Sequence, residues 1–184
     1  MTTSKINRHT MIAWVEDKPG VLNRVSGLFG RRNFNIESLT VGHTEKPGVS
    51  RMTFVVKGTG RDVQQVRMQL YKLINVLEVQ DVTGEPRVEY ELALIRVQAD
   101  SSTRGEIMQL VDIYRAQVVD VDINTVIIRI VAREDRVDAL LRLLKQFGIK
   151  EMVRTGRVAM IRGSRVAQRT QERVMADNGR AIEV

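Results

Sequence analysis

Asp17, Gly20 and Asn35 are the residues whose types and spacing best suit chemistry, and that chemistry is capture rather than reaction. They lie in VEDKPGVLNRVSGLFGRRNFNIESLTVG, Val15 to Gly42, where an acid and a Pro-Gly pair precede an apolar-periodic segment. Amides around Gly20 and Val21 fall in a helix's first turn, where free N–H groups and the positive dipole end favour a carboxylate. Gly20 has no side chain to keep a ligand off the backbone. Asp17 adds an anion for an ammonium group, and Asn35 offers both donor and acceptor. With Lys18 and Pro19 completing the loop, the set suits a zwitterion, a free α-amino acid. Val21, Leu22 and Ile36 would favour an aliphatic side chain. Each part also has a plain reading: Pro-Gly as a turn, Asp17 as an N-cap, Asn35 as a turn residue after the helix.

The remaining candidates assemble nothing catalytic. His9 and His43 are the only histidines, and no Ser, Cys or paired acid beside them completes a constellation. No HExxH spacing and no Walker-type phosphate loop occur, and GTGRD at Gly58 reads as a turn ahead of a helix. Asp81, Asp120 and Asp122 lack a matching His or second acidic cluster, so no metal is assigned. With no Cys, both disulfides and thiolate catalysis are excluded. The expectation is a chain with no catalytic residue of its own.

The 184 residues allow one ordinary domain or two small ones, and 43% hydrophobic residues suffice for a packed core. Aromatics at 4% leave that core to Val, Ile, Leu and Met. No apolar run reaches bilayer-spanning length and MTTSKINRHT has no apolar signal core, so a cytoplasmic location is expected and no membrane partner. The +7 formal charge comes from dispersed basic residues, which decides little between nucleic acid, an acidic partner and solubility.

Two halves share one rhythm. HTMIAWVE reads as a strand, and Val21, Leu22, Val25, Leu28 and Phe29 form one stripe of a helix. FNIESLTVGHTE and RMTFVVKG are strands around a KPGVS turn. RDVQQVRMQLYKLIN is a helix with Val63, Val66, Leu70 and Leu73 on one face, and VLEVQDVTG is the closing strand. The second half repeats the order. YELALIRVQA is a strand, and STRGEIMQLVDIYRA a helix with Ile107, Leu110, Val111 and Tyr114 aligned. QVVDVDI and TVIIRIVA pair across Asn124, REDRVDALLRLLKQFG is a helix stopped by Gly148, and IKEMVRTGRVAMIRG supplies one last strand. The fold class is α+β, two tandem βαββαβ units with four-stranded antiparallel sheets and helices on one face. The uncovered faces predict side-by-side or face-to-face pairing, hence a homodimer or higher.

RNA-recognition sheets share this order but need aromatic stacking residues on their central strands. Here Phe54 alternates with Met52 and Val56, which reads as core. No helix-turn-helix accompanies the sensor unit. No nucleic-acid partner is expected; an RNA-binding module, or a sensor regulating another target, stands as the alternative.

EDKPGVLNRVSGLFGRRNFNIESLTVG, SRMTFVV and QLYKLINVLEV resemble the regulatory small subunit of acetolactate synthase, also called acetohydroxyacid synthase. RVQA, AQVVDVD and RTGRVAMIRG match the family's second domain, so the resemblance runs from about Lys5 to Ser164. It implies an ACT domain over 5–83 and a C-terminal ferredoxin-like domain over 84–163. A basic tail over 164–184 would be loosely ordered, and its removal nearly silent. It implies a non-catalytic subunit that binds a large catalytic subunit using thiamine diphosphate, Mg2+ and FAD. That subunit would confer activation and feedback inhibition, typically by valine, in branched-chain amino-acid synthesis. Family effector sites lie at the ACT–ACT dimer interface. Carried onto this chain, the loop is Asp17, Lys18, Pro19, Gly20, Val21 and Leu22, with Gly20 receiving the effector carboxylate. Asn35 and Ile36 reach the effector, from either the same or the opposite protomer. Asp17 stands where the family often has Asn. It keeps the grip on an ammonium group but cannot donate to a carboxylate. Arg31 and Arg32 complement a helix C-terminus; alternatively, Arg31, Arg32 and Arg51 contact the catalytic subunit.

Overall fold

Alternation in the strands and 3.6-residue periodicity in the helices build two units in succession. A computed structural model describes residues 7–31 and 34–163. Arg32 and the 164–184 tail lie outside the described residues. The first unit runs β1 (Asn7–Glu16), α1 (Val21–Arg31), β2 (Ile36–His43), β3 (Val49–Gly58), α2 (Gly60–Leu70) and β4 (Val76–Asp81). Its antiparallel sheet has the order β2-β3-β1-β4. Met11, Ala13 and Val15 on β1, with Met52, Phe54 and Val56 on β3, turn one face to the helices. Against them α1 buries Val21, Val25, Leu28 and Phe29, and α2 buries Val63, Val66 and Leu70. Leu22, expected on the α1 stripe, is 46% exposed. Phe54 is fully buried, its ring edge-on to Phe29 at 5.3 Å, so it serves the core and presents no stacking surface. In GTGRD, Thr59 and Asp62 form a capping box that starts α2.

The second unit runs β5 (Arg87–Gln98), α3 (Arg104–Ile113), β6 (Gln117–Val121), β7 (Thr125–Ala132), α4 (Glu134–Leu144), β8 (Ile149–Arg154) and β9 (Val158–Ile161). A 3-10 turn, Lys145–Phe147, and Gly148 at φ +90° end α4. The order β6-β7-β5-β8 repeats the first sheet's pattern. Ala93, Ile95 and Val97 face Ile107, Val111, Val137, Leu140 and Leu144. Among the described residues no helix is long and apolar enough to cross a membrane.

One expected element divides in two. IKEMVRTGRVAMIRG forms β8 and β9, and both pair with β5, Ile95 facing Met152 and Val88 facing Met160. The break falls at Gly156, whose φ of +84° lies in the region that disfavours a side chain. A Cβ there would stand 3.0 Å from Ser38 Cβ, so the glycine also lets the turn lie against β2 of the first unit.

The break lays β9 across the face of the first sheet that carries no helix. Ile12, Val82 and Ala159 are buried there, with Trp14 and Ile161 packed beside them. Thr40 Oγ1 donates to the Thr155 carbonyl at 3.3 Å or the Arg157 carbonyl at 3.2 Å, and Arg51 donates to the Ala159 carbonyl at 2.5 Å. Part of the face expected to be bare is therefore covered by the chain's own second unit.

Candidate functional site

The Pro-Gly pair makes a turn that delivers the chain into α1. Val21 N–H donates back to the Lys18 carbonyl at 3.3 Å, with Pro19 and Gly20 at the two central positions. Gly20 has φ +84°, matching the second central residue of a type II turn, and a Cβ on it would meet no atom within 4 Å. The helix follows directly, Arg24 N–H donating to the Gly20 carbonyl at 3.0 Å. Among the described residues the amides of Gly20, Leu22 and Asn23 find no acceptor. The start of α1 thus offers open space at a glycine and unfilled N–H groups at the positive end of the helix dipole.

Asp17 is not the helix cap, because the turn separates it from α1. Its amide donates to the Gly48 carbonyl at 2.8 Å, and its exposed carboxylate lies 3.3 Å from His43 Nδ1. Lys18 Nζ turns away to Glu16 at 3.0 Å. A hydrogen bond from Asn75, then Lys18, holds the Glu16 carboxyl below its usual range. Val21 is buried in the first core and its amide is engaged, so it offers a ligand little. Leu22 is the exposed apolar residue at the loop. Sequence reasoning set His43 aside, since only the strand register reveals that it meets Asp17.

Asn35 and Ile36 lie at the other end of the sheet. Ile36 pairs with Val56, which pairs with His9, whereas the loop follows Glu16, which pairs with Val49. Seven residue steps along β1 take His9 to Glu16, roughly 23 Å at about 3.3 Å per step. Asn35 is exposed and makes no hydrogen bond among the described residues, and Ile36 packs half-buried on the first core. One chain does not bring the expected residues together. β2, however, is the outer strand of its sheet, and its far edge meets no other strand of the described residues.

No three His, Asp or Glu side chains converge into a metal-binding group among the described residues. What does converge is an ion network between the units, around a cavity of about 410 Å3 lined by Arg8, Glu37, Glu134, Arg154 and Arg157 among others. Arg154 pairs with the buried Glu91, and with Asp138 at 2.8 Å. Each of these guanidinium groups has a carboxylate already.

Residues 11–78 match the family model described as an AHAS small subunit-like ACT domain, and residues 90–163 the model described as the small subunit of acetolactate synthase. The chain is 54% identical over 158 residues to the probable acetolactate synthase small subunit of Archaeoglobus fulgidus, covering 86% of this chain and 99% of that one. It is 49% identical over 151 residues to the acetolactate synthase small subunit of Bacillus subtilis, covering 82% and 88%. The crystal structure of the small subunit from Thermotoga maritima superposes with a TM-score of 0.81 at 43% identity, over 86% of this chain and 99% of that one.

Proposed function

The chain belongs to the family of acetolactate synthase small subunits, and from that premise we propose that it senses valine at a paired ACT interface and passes the signal to the catalytic subunit. The carrying observation is the separation just described. Free N–H groups and Asp17 sit at one end of an edge strand, and Asn35 at the other. Antiparallel pairing of β2 with β2 of a second copy sets the Asn35 end of one chain beside the His43 end of its partner. Each of two equivalent sites then takes its loop from one copy and its Asn35 from the other.

In such a site the amides of Gly20, Leu22 and Asn23 receive the valine carboxylate, and Asp17 takes the ammonium group. Leu22 meets the isopropyl group, and Asn35 closes the site from the second copy. His43 competes for Asp17, so an incoming ammonium group replaces an existing contact. Thiamine diphosphate, Mg2+ and FAD belong to the large catalytic subunit in this reading, and the complex works in the cytoplasm. A coupling of about 1–3 kcal/mol between valine and the catalytic subunit would give feedback of roughly 5- to 150-fold.

Calorimetric titration of the purified subunit with L-valine, with D-valine and L-lysine as controls, tests the reading. Binding of L-valine alone, near one per chain, is expected. Equal heats from all three, or none from L-valine with the large subunit also present, would remove the effector role.

A further inference from the structure

Between the bare face of the β5–β9 ribbon and strands β2 and β3 of the first sheet lies a groove of about 650 Å3, which shares only His43 with the proposed valine site. Val88 faces Met160 and Tyr90 faces Val158 across the ribbon, so these four side chains share one face. Alternation sends Ala159 and Ile161 the other way, onto the first sheet. The ribbon is thus sealed on one face and bare on the other, its four apolar residues 40% to 61% exposed. Apolar surface continues along the same face of β5 to Leu92, and across to Val131 on β7.

The groove's charges are all of one sign. Arg51 and Arg162 line it, and no carboxylate does. Arg51 is half-buried, stacks on Trp14 at 5.1 Å and gives one N–H to the Ala159 carbonyl. Among the described residues no carboxylate comes within ion-pair distance of it; Glu45 acts only from farther off. A partly desolvated guanidinium without a counter-charge is costly, and an arriving carboxylate would offset that cost. A symmetric pairing of this groove with its own copy would set one basic lining against another. An open groove with broad apolar rims suits a protein segment.

We propose that this groove docks the catalytic large subunit, through an apolar segment carrying at least one carboxylate that pairs with Arg51. The proposal rests on the regulatory reading above. Thr40, Val41, Gly42 and His43 of β2 form one wall of the groove, so it adjoins the edge that the antiparallel pairing of β2 would use.

Affinity for the purified large subunit, measured for the full-length wild type, Met160→Asp and Arg51→Gln, tests it. Met160 is solvent-facing, so its replacement leaves folding intact. Both variants should bind at least about 10-fold more weakly and activate correspondingly less. Valine binding and oligomeric mass should match the wild type. Added salt should weaken wild-type binding more steeply than that of Arg51→Gln. If the wild type binds and Met160→Asp binds equally well, the groove is not the docking site. A Met160→Asp chain that loses its oligomeric mass while keeping affinity overturns the proposal in favour of a contact between copies. Failure of the wild type to bind the large subunit would instead overturn the regulatory reading, and this inference with it.

Discussion

Arg8 on β1 and Glu134 at the start of α4 meet at two points, 3.0 and 2.9 Å, and so tie the first unit to the second. Glu134 also receives Arg157 at 2.5 Å, and Arg8 reaches Glu37 at 2.5 Å. Glu37 directly follows Asn35 and Ile36, so the chain of pairs leads from the proposed effector strand to a helix of the other unit.

Glu134→Gln should loosen this tie. Burial raises the Glu134 carboxyl, but hydrogen bonds from Arg8 and Arg157 outweigh it and hold the pKa below the usual 4.5. The stabilisation is therefore present above about pH 4.5 and lost as pH falls through the depressed native value. Urea unfolding at neutral pH should show a loss of about 1–2 kcal/mol for Glu134→Gln. The gap from wild type should narrow below about pH 4.5. A pH-independent gap would mean that the ionised carboxylate contributes nothing.

Gly156→Ala tests the close approach of the units. The left-handed backbone alone costs a side chain about 1–2 kcal/mol. The new Cβ would also press on Ser38 Cβ at 3.0 Å and Thr40 Oγ1 at 3.4 Å. A total loss of roughly 2–4 kcal/mol is expected. Ser38→Gly in the same chain should recover the contact part and leave the backbone part. Thermal unfolding of the two single variants and the double variant separates these contributions.

At Gly20 the same conformational cost arises without a steric one, since its Cβ would meet nothing within 4 Å. Gly20→Ala should weaken valine binding modestly by straining the turn. Gly20→Asp adds a negative charge where the proposed effector carboxylate would sit, and should abolish inhibition while leaving activation. Inhibition curves of the reconstituted enzyme decide this. Full valine sensitivity in Gly20→Asp would place the effector elsewhere.

Much of this architecture was legible in the residues, because period-2 and period-3.6 patterns report burial directly. Met52, Phe54 and Val56 declared a core face, and Val137, Leu140 and Leu144 a helix stripe. What escaped was tertiary. RTGRV reads as one strand with its neighbours until Gly156 is seen lying against Ser38. Asp17 looked like a cap because capping is a local pattern, whereas its contact with His43 is set by the pairing of β2 with β3. Arg8 and Glu134 stand 126 positions apart, and no periodicity links them.

The distance between the Gly20 loop and Asn35 leads to a test by complementation. If each site draws on two copies, chains carrying Gly20→Asp and chains carrying Asn35→Ala are both inactive as homodimers. Mixed, they form heterodimers in which one site holds both defects and the other holds none. Such heterodimers, isolated by two affinity tags, should bind one valine per dimer with wild-type affinity, while either homodimer binds none. Residues acting within one chain would leave both heterodimer sites damaged, with no binding recovered. Recovery of one site would require Asn35 to cross the β2 pairing, the arrangement we propose from the roughly 23 Å between the two ends of the sheet.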